Sequence, residues 1–411
     1  MNRFLILILI ILVIKYLLNV LADWLNLSYL KPTLPDEFIG FHDRETYFRS
    51  QHYTREKTVL GMIQNTLFTF FTLGFILLGG FNAVDLLVRQ LQLGSISTGL
   101  IYIFILLLAS GILNLSFTVY STFVIEEKYG FNKTTPMTFI LDIVKSVLLL
   151  IVIGGPLLVL VLWFFQETGR LAPLYVWIAV SLFQIFLTFV APVVIMPLFN
   201  TFIPLEQGEL KSKIETYARA HDFFLEGIYT MDGSRRSAKS NAFFTGFGRS
   251  RRIVLLDTLI EKHTADELLG VLAHEMGHYK LGHIVKMIAI SILENGLLLF
   301  LLSLFINNPG LFAAFKMEHI SIYASLIFFG YLYTPLSTII SVFTRTLSRQ
   351  FEYRADRFAV ETTGGGETFI QALKKLSADN LSNLTPHPLH VFLFTGHPPV
   401  VERIRAIRQL K

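Results

Sequence analysis

Long apolar stretches dominate the pattern of hydrophobic and polar positions along this chain. Five of these stretches contain no Asp, Glu, Lys or Arg, and two more are each interrupted by a single charge, Lys15 or Glu294. A helix needs about 20 apolar residues to cross a bilayer. The pattern predicts seven transmembrane helices, in the stretches Phe4–Ala22, Thr58–Val84, Gln90–Ile125, Ser146–Gln166, Leu171–Leu205, Met287–Phe315 and His319–Thr344.

Composition supports a membrane protein and excludes several kinds of chemistry. Only 16% of the 411 residues are charged, whereas soluble domains carry about 25%. The chain contains no cysteine, so disulfides, cysteine nucleophiles and iron–sulfur clusters are excluded. A net charge of +5 could indicate nucleic-acid binding. The position of the basic residues indicates a lipid bilayer instead, and we expect no nucleic-acid partner.

The basic residues predict the orientation of the helices. If the connections between seven spans alternate sides, 30 of the 35 Lys and Arg residues lie on one side and four on the other. Cytoplasmic loops carry the excess of Lys and Arg in membrane proteins. We therefore expect the N-terminus outside and both large hydrophilic segments in the cytoplasm.

The hydrophilic segments divide the chain into four parts. Residues 1–205 contain five predicted spans, and residues 287–344 contain the other two. Residues 206–286 and 345–411 are hydrophilic and together are long enough for one small domain. The predicted fold is mainly α, with seven transmembrane helices capped by a small α+β domain. Asn241–Gly246 and Ile253–Leu256 have the pattern of two strands of a short β-hairpin.

A metal-binding motif lies in the first hydrophilic segment. His274 and His278 belong to an H-E-x-x-H sequence, and residues four apart share one face of a helix. Two imidazoles so placed can bind one zinc ion, and Glu275 can take a proton from a water beside it. Thr264 and Glu267 form a capping box that predicts the start of this helix. We expect one Zn²⁺ per chain.

A third ligand is needed, because catalytic zinc commonly has three protein ligands and one open position. The other histidines are candidates, and so is Glu352, which lies just after the seventh span. Asp356 follows four residues later on the same helical face, where it could orient a ligand. The same carboxylates could instead form surface ion pairs with Arg349 and Arg354.

Several segments together resemble the type I CAAX prenyl endopeptidases, integral-membrane zinc proteases related to the HtpX-like proteases. The resemblance covers nearly the whole chain, from about residue 40 to about residue 407. It is carried by the segments His274–His283, Tyr120–Asn132, Ser240–Phe244, Ile253–Leu259, Glu352–Asp356 and His397–Pro399.

The resemblance implies a fold and a site. The fold would be seven transmembrane helices that enclose a hydrated chamber beneath the zinc-protease domain. His274, His278 and Glu352 would bind zinc, and Glu275 would be the catalytic carboxylate. Asp356 would be a second acidic group, either catalytic or orienting. His397 would stabilise the tetrahedral intermediate near the cleaved bond, and Arg403 would support that end of the substrate site.

The resemblance also implies a substrate and a place where it binds. Proteases of this motif hold an extended peptide against a strand edge. We assign that role to Asn241, Ala242, Phe243 and Phe244, although an ordinary hairpin packed on the zinc helix fits the sequence equally well. The implied activity is hydrolysis of peptides or proteins at the cytoplasmic membrane face. The family removes the C-terminal tripeptide from prenylated proteins.

Other functions fit parts of the sequence. An HtpX-like quality-control protease would use the same chemistry on membrane proteins. A transporter would explain polar residues within the spans, and a zinc-bound scaffold would explain the histidines. Neither of the last two accounts for an intact Glu275 in a capped helix. The membrane would be the bacterial plasma membrane, or the endoplasmic reticulum in a eukaryote, and the sequence leaves the oligomeric state open.

Overall fold

The computed structural model describes residues 2–41, 43–246 and 251–410. Within these residues, seven helical spans are long and apolar enough to cross a membrane, which confirms the number that the hydrophobic pattern predicts. The spans are Arg3–Ser28, Arg44–Leu77, Ser95–Glu126, Pro136–Glu167, Gly169–Phe199, His283–Ser303 and Ile322–Thr363. The mainly α architecture is confirmed as well.

The first half of the chain contains helices α1 to α8. Between the second and third spans lies a separate amphipathic helix, α3, whose Asp85 is buried. The helices are α1 Arg3–Ser28, α2 Arg44–Leu77, α3 Gly80–Arg89, α4 Ser95–Tyr120, α5 Pro136–Leu149, α6 Gly155–Glu167, α7 Ala172–Val190 and α8 Met196–Phe199.

Three spans contain a π-helical turn. Ser121–Glu126 extends α4, Leu150–Gly154 joins α5 to α6, and Ala191–Ile195 joins α7 to α8. Pro156 follows the second of these turns by two residues, and Pro192 lies within the third. Because proline has no N–H to donate to the carbonyl four residues earlier, the helical ladder is rearranged there. The turn at Ser121–Glu126 contains no proline and has a different cause.

Helix α4 is exposed on all sides over nearly three turns. Every residue from Leu107 to Ser116 is exposed, including the polar Asn114 and Ser116. A helix inside a close-packed bundle buries at least one face. One side of α4 can face lipid, and the opposite side then faces an open space between the helices, as the resemblance implies.

The described residues of the second half form nine further helices. The predicted sixth span, Met287–Phe315, is divided in the structure. Its helix ends at Ser303, and a new helix begins at Pro309 with the side chain of Asn308 as its cap. The helices are α9 Glu209–Ala220, α10 Asp257–Ile260, α11 Ala265–Lys280, α12 His283–Ser303, α13 Pro309–Ala314, α14 Ile322–Thr363, α15 Gly366–Asp379, α16 Pro388–Phe394 and α17 Val400–Arg408.

A four-stranded sheet lies in the hydrophilic part, with strand order β1-β2-β4-β3. The predicted hairpin is present, since β3 (Ala242–Thr245) pairs antiparallel with β4 (Arg252–Leu256). Its turn at Gly248–Arg251 lies mostly outside the described residues. Strand β2 (Gly227–Met231) pairs parallel with β4 and antiparallel with β1 (Phe202–Pro204). Strand β3 is therefore at one edge of the sheet.

The two hydrophilic segments share one core. Helix α11 from the first segment packs against the end of α14 and against α15 from the second. Ala273 and Met276 of α11 are buried against Phe369 of α15 and Ile404 of α17. The two segments, although separated by α12 and most of α14, thus meet as one body around α11.

Candidate functional site

Helix α11 presents two histidines to the interior of this body. Its N-terminus has the predicted capping box, in which the Thr264 hydroxyl accepts from the Glu267 amide and the Glu267 carboxylate accepts from the Thr264 amide. Because His274 and His278 are one helical turn apart, their rings lie on the same face. Their Nε2 atoms are 3.1 Å apart.

Helix α14 carries a carboxylate to this histidine pair. This 42-residue helix continues without a break from the seventh span into the hydrophilic body. The Glu352 carboxylate oxygens lie 3.5 Å from Nε2 of His274 and 3.2 Å from Nε2 of His278. Glu352 is 3% exposed. A surface ion pair, the alternative for this carboxylate, is therefore excluded.

The three side chains fit a tetrahedral metal ion. The donor atoms of His274, His278 and Glu352 all lie within 4.8 Å of one another. Zinc–ligand bonds of 2.0–2.2 Å in tetrahedral geometry separate neighbouring donors by about 3.3 Å. The two Nε2 atoms are 3.1 Å apart, one Glu352 oxygen lies 3.5 Å from Nε2 of His274, and the other lies 3.2 Å from Nε2 of His278, so the separations are close to this value.

Gly277 allows the two helices to approach so closely. A Cβ atom at this position would lie 3.2 Å from the Cα of Ala355 and 3.1 Å from the ring of Phe358. The glycine costs about 1 kcal/mol of helix stability relative to alanine. The close approach explains its presence, because α14 must come near enough for Glu352 to reach both histidines.

A second set of charged groups contacts His274 at Nδ1, the ring nitrogen that does not face Glu352. Its Nδ1 lies 2.8 Å from the Asp356 carboxylate, and Arg403 donates two hydrogen bonds of 2.6 and 2.9 Å to the same carboxylate. Burial acts to lower the pKa of His274, but Asp356 and Glu352 outweigh it and raise the pKa to about 9. A metal ion bound below that pH must displace a proton from this ring.

Arg403 lies against the buried carboxylates of the site. Its side chain is 13% exposed, and its guanidinium faces Asp356 and Glu352. Burial acts to lower the pKa of Arg403, but Asp356 and Glu352 raise it above its ordinary value. The structure thus places Arg403 beside the carboxylates and not along strand β3, where the other predicted substrate-binding residues lie.

Glu275 is the accessible carboxylate of the motif. It is partly exposed, whereas His274 before it and Met276 after it are buried. Among the described residues it makes no hydrogen bond or ion pair. Unlike Glu352 and Asp356, it is free to accept a proton from a bound molecule.

His397, from the C-terminal hydrophilic segment, lies beside the carboxylate of Glu352. Its Nδ1 is 3.0 Å from Glu352, yet 76% of the side chain is exposed. Arg349 fixes the loop before it by donating to the Thr395 carbonyl at 2.7 Å and the Val391 carbonyl at 3.2 Å. Sequence reasoning treated Arg349 only as a partner for a surface ion pair, and its spacing gives no signal for this role.

His283 is another residue that sequence reasoning left without a role. Its Nδ1 lies 3.1 Å from Nδ1 of His278, and its ring stacks on Phe351 at 4.1 Å. It therefore fixes the ring plane of His278 as Asp356 fixes that of His274. The available signal was a third histidine five residues after the motif.

An open cavity reaches this cluster. Its volume is about 720 Å³, and His397 and Arg403, which contact Glu352, are part of its lining. Tyr53 and Lys57 of α2, together with Asn380, belong to the same lining. No Asp or Glu lines it among the described residues. The cavity thus connects the cluster with the top of the second span.

Strand β3 has a free edge among the described residues. One side pairs with β4, from Ala242 opposite Leu255 to Thr245 opposite Arg252. The Asn241 side chain folds back to accept from the Ala242 amide at 2.9 Å, and Phe244 packs edge-on against Phe223. The strand is exposed enough for another extended chain to add to the sheet.

Comparisons with known proteins agree with this site. Residues 23–201 match the model of the CAAX prenyl protease N-terminal region with five membrane helices, and residues 204–411 match that of peptidase family M48. A CAAX prenyl protease 1 homolog from Arabidopsis thaliana is 34% identical, covering 96% of this chain and 95% of the relative. CAAX prenyl protease 1 from Saccharomyces cerevisiae is also 34% identical, covering 93% and 89%.

A solved structure has the same fold throughout. The crystal structure of S. mikatae Ste24p matches with a TM-score of 0.94 and 32% identity, covering 99% of each chain. Both halves of the chain and its complete architecture thus match one kind of protein. The chain therefore belongs to peptidase family M48 and is an integral membrane metalloendopeptidase that resembles the CAAX prenyl proteases.

Proposed function

We propose that the metal is zinc and that His274, His278 and Glu352 hold one ion per chain. The observation that carries this proposal is that one donor atom from each of the three side chains lies within 4.8 Å of the others, with the two Nε2 atoms 3.1 Å apart. Two imidazoles and one carboxylate are a common ligand set of catalytic zinc. When bound, zinc supplies a Lewis acid that polarises the scissile carbonyl and lowers the pKa of a water molecule.

The residues around the ligands have separate roles in peptide hydrolysis. Glu275 accepts the proton of the attacking water and returns it to the leaving amine nitrogen. Asp356 accepts from Nδ1 of His274, so that Nε2 of this ring is kept toward the ligand cluster, and Arg403 holds Asp356 in place. Of the two roles open to Asp356, this geometry favours orienting a ligand.

His397 acts on the other side of the cleaved bond. Its exposed ring lies in the cavity next to Glu352, where it can donate a hydrogen bond to the developing oxyanion of the substrate carbonyl. Asn241–Phe244 would hold the substrate as an added strand through main-chain hydrogen bonds, with the cavity receiving the rest of the peptide.

We propose CAAX processing as the activity. The relatives from Arabidopsis and Saccharomyces are named CAAX prenyl proteases, and this chain matches them over almost its whole length. A prenylated peptide suits a site that is joined to membrane helices by α14. Its catalytic body would consist of residues 206–286 and 345–411, mounted on residues 1–205 and 287–344.

A peptide pair tests this activity. Purified protein in lipid vesicles is given one C-terminal peptide in prenylated and unprenylated forms, and products are mapped by mass spectrometry. We expect loss of three C-terminal residues, faster from the prenylated form because the bilayer concentrates it. Chelation should stop cleavage and added zinc should restore it. Equal rates on both forms, or cuts at scattered sites, would favour the quality-control alternative instead.

We propose that the catalytic body lies in the cytoplasm, because 30 of the 35 Lys and Arg residues fall on its side of the spans. The chain has no cysteine of its own, so an introduced cysteine is the only thiol in the protein that can react with a maleimide. We expect Arg170→Cys, in an exposed connection, to react with an impermeant maleimide from outside intact cells. Glu261→Cys, also exposed, should react only after lysis. The reverse pattern would invert the topology.

A further inference from the structure

The segment Tyr120–Asn132 has no part in the chemistry proposed above, although it is among the segments that carry the family resemblance. It contains the π-helical turn Ser121–Glu126 that no proline explains. Such turns are rare and occur frequently at functional sites. The turn ends at Glu126, whose side chain is only 17% exposed.

Glu126 is a centre of polar contacts from three parts of the chain. It accepts a hydrogen bond of 2.6 Å from the Tyr53 hydroxyl and pairs with Lys57 at 3.2 Å, both from α2. It also pairs with Lys239 at 3.0 Å. One carboxylate thus joins the top of the second span, the end of the third and the segment that precedes β3.

Lys239 is held as firmly as Glu126. Its ammonium also donates to the Tyr53 hydroxyl at 2.6 Å, and it lies 5.0 Å from the ring centre of Tyr53 and 4.6 Å from that of Phe131. A lysine fixed by an anion, a hydroxyl and two rings has little rotational freedom left. It is three residues before Ala242, where β3 begins.

The main chain around Lys239, which we term the strap (residues 236–241), is fastened along its length. The Lys133 amide donates to the Arg236 carbonyl, and the Ala238 amide donates to the Phe131 carbonyl, each at 3.0 Å. The Asn380 side chain then bonds both the amide and the carbonyl of Ser240, again at 3.0 Å. The strap therefore takes its position from outside the sheet.

The position of β3 relative to the ligand cluster matters more than its stability. A substrate strand that shifts by one residue presents all its side chains to the opposite face. Strand β3 is short and pairs on one side only, so the strap before it must supply the rest of its placement. The contacts of Lys239 are the side-chain part of that placement.

We propose that Glu126, acting through Lys239, is a positioning residue that aligns strand β3 for peptide binding beside the ligand cluster. This inference rests on the proposed function, because it takes β3 as the strand that binds substrate. Loss of the contact weakens binding of an extended peptide and leaves the hydrolytic groups intact.

The test compares two peptides of different length. Both peptides end three residues after the cleaved bond, but the long one extends four residues before it and the short one two, so that the short peptide makes fewer hydrogen bonds with β3. We expect Lys239→Met and Glu126→Gln each to raise KM of the long peptide about tenfold, with kcat unchanged. Both constants for the short peptide should stay at the parental values.

Controls separate positioning from general damage. Lys128→Met removes an ion pair of the same segment, with Glu56, from a lysine that is 59% exposed and does not touch the strap. It should leave both peptides unaffected. Lys239→Arg should recover most of the lost affinity. The double variant Lys239→Met with Glu126→Gln should be no worse than the poorer single variant, because both act through one contact.

The possible results divide clearly. Zinc content and thermal unfolding are measured for every variant, and if Lys239→Met does not fold, the nearly isosteric Glu126→Gln decides. An unchanged KM for the long peptide would overturn the proposal, and so would equal loss on both peptides. Failure of the proposed function looks different, because the parent protein would then cleave neither peptide in a zinc-dependent way.

Discussion

Glu275→Gln is expected to reduce kcat for peptide hydrolysis by about 10³-fold, the loss typical of removing a general base. The amide has the shape of the carboxylate but cannot accept the proton of the attacking water. Because the Glu275 side chain makes no hydrogen bond or ion pair among the described residues, zinc content and thermal stability should stay at the parental level. Quenched-fluorescent peptide cleavage and elemental analysis of the same sample measure both effects.

Glu261 offers a matched control, because it is exposed, does not line the cavity, and lies in the connection just before α11. Glu261→Gln should retain full activity. A Glu275→Gln protein that still cleaved at the parental rate would show that another group serves as the base. A protein that lost its zinc would show that Glu275 belongs to the ligand set.

Glu352→Ala is expected to lose most of the bound zinc and with it all measurable activity. The substitution removes one of three ligand side chains and leaves His274 and His278 without the anion between them. We expect zinc per chain, measured by elemental analysis after dialysis against a weak chelator, to fall from about one to near zero.

Asp356→Asn is the comparison that distinguishes a zinc ligand from a residue that only orients a ligand. It removes a charge four residues away on the same helix but no proposed ligand, so we expect zinc affinity to fall only about 10–100-fold. Saturating zinc should then refill the site in Asp356→Asn and fail to do so in Glu352→Ala. Parental zinc content in Glu352→Ala would remove Glu352 from the ligand set.

Local sequence signals predicted α11 correctly because its determinants are local. The Thr264–Glu267 capping box fixes where the helix begins, and i,i+4 spacing fixes that His274 and His278 share a face. The number of spans was predictable for the same kind of reason, since each apolar run is itself the cause of membrane insertion.

The meeting of Glu352 with the histidines was not predictable from spacing. It depends on how α14 packs against α11, seventy or more residues away, and on the absence of a side chain at Gly277. Sequence reasoning reached Glu352 by family resemblance and left the other histidines open. Strand β1 was missed because its apolar residues fall within the predicted fifth span, Leu171–Leu205, whereas the helix ends at Phe199 and β1 pairs with β2.

The boundaries of the sixth span were wrong for a physical reason. Leu304–Phe315 is apolar enough to extend the helix, but Asn308 caps a new one, and Pro309 cannot donate to the old ladder. Hydropathy measures transfer to lipid and is insensitive to such caps. The π-helical turns were likewise invisible to it.

The continuous helix α14 fixes the distance between the membrane and Glu352, which a lipid-anchored substrate must cover. Its charge-free stretch ends at Thr344, eight residues before Glu352, and a helix rises about 1.5 Å per residue. With α14 along the bilayer normal, the proposed ligand Glu352 would lie about 12 Å beyond the apolar layer. In a C-a-a-X terminus the prenylated cysteine directly precedes the three residues to be removed. No peptide tether then separates the lipid from the cleaved bond, so the prenyl chain itself must cover this height.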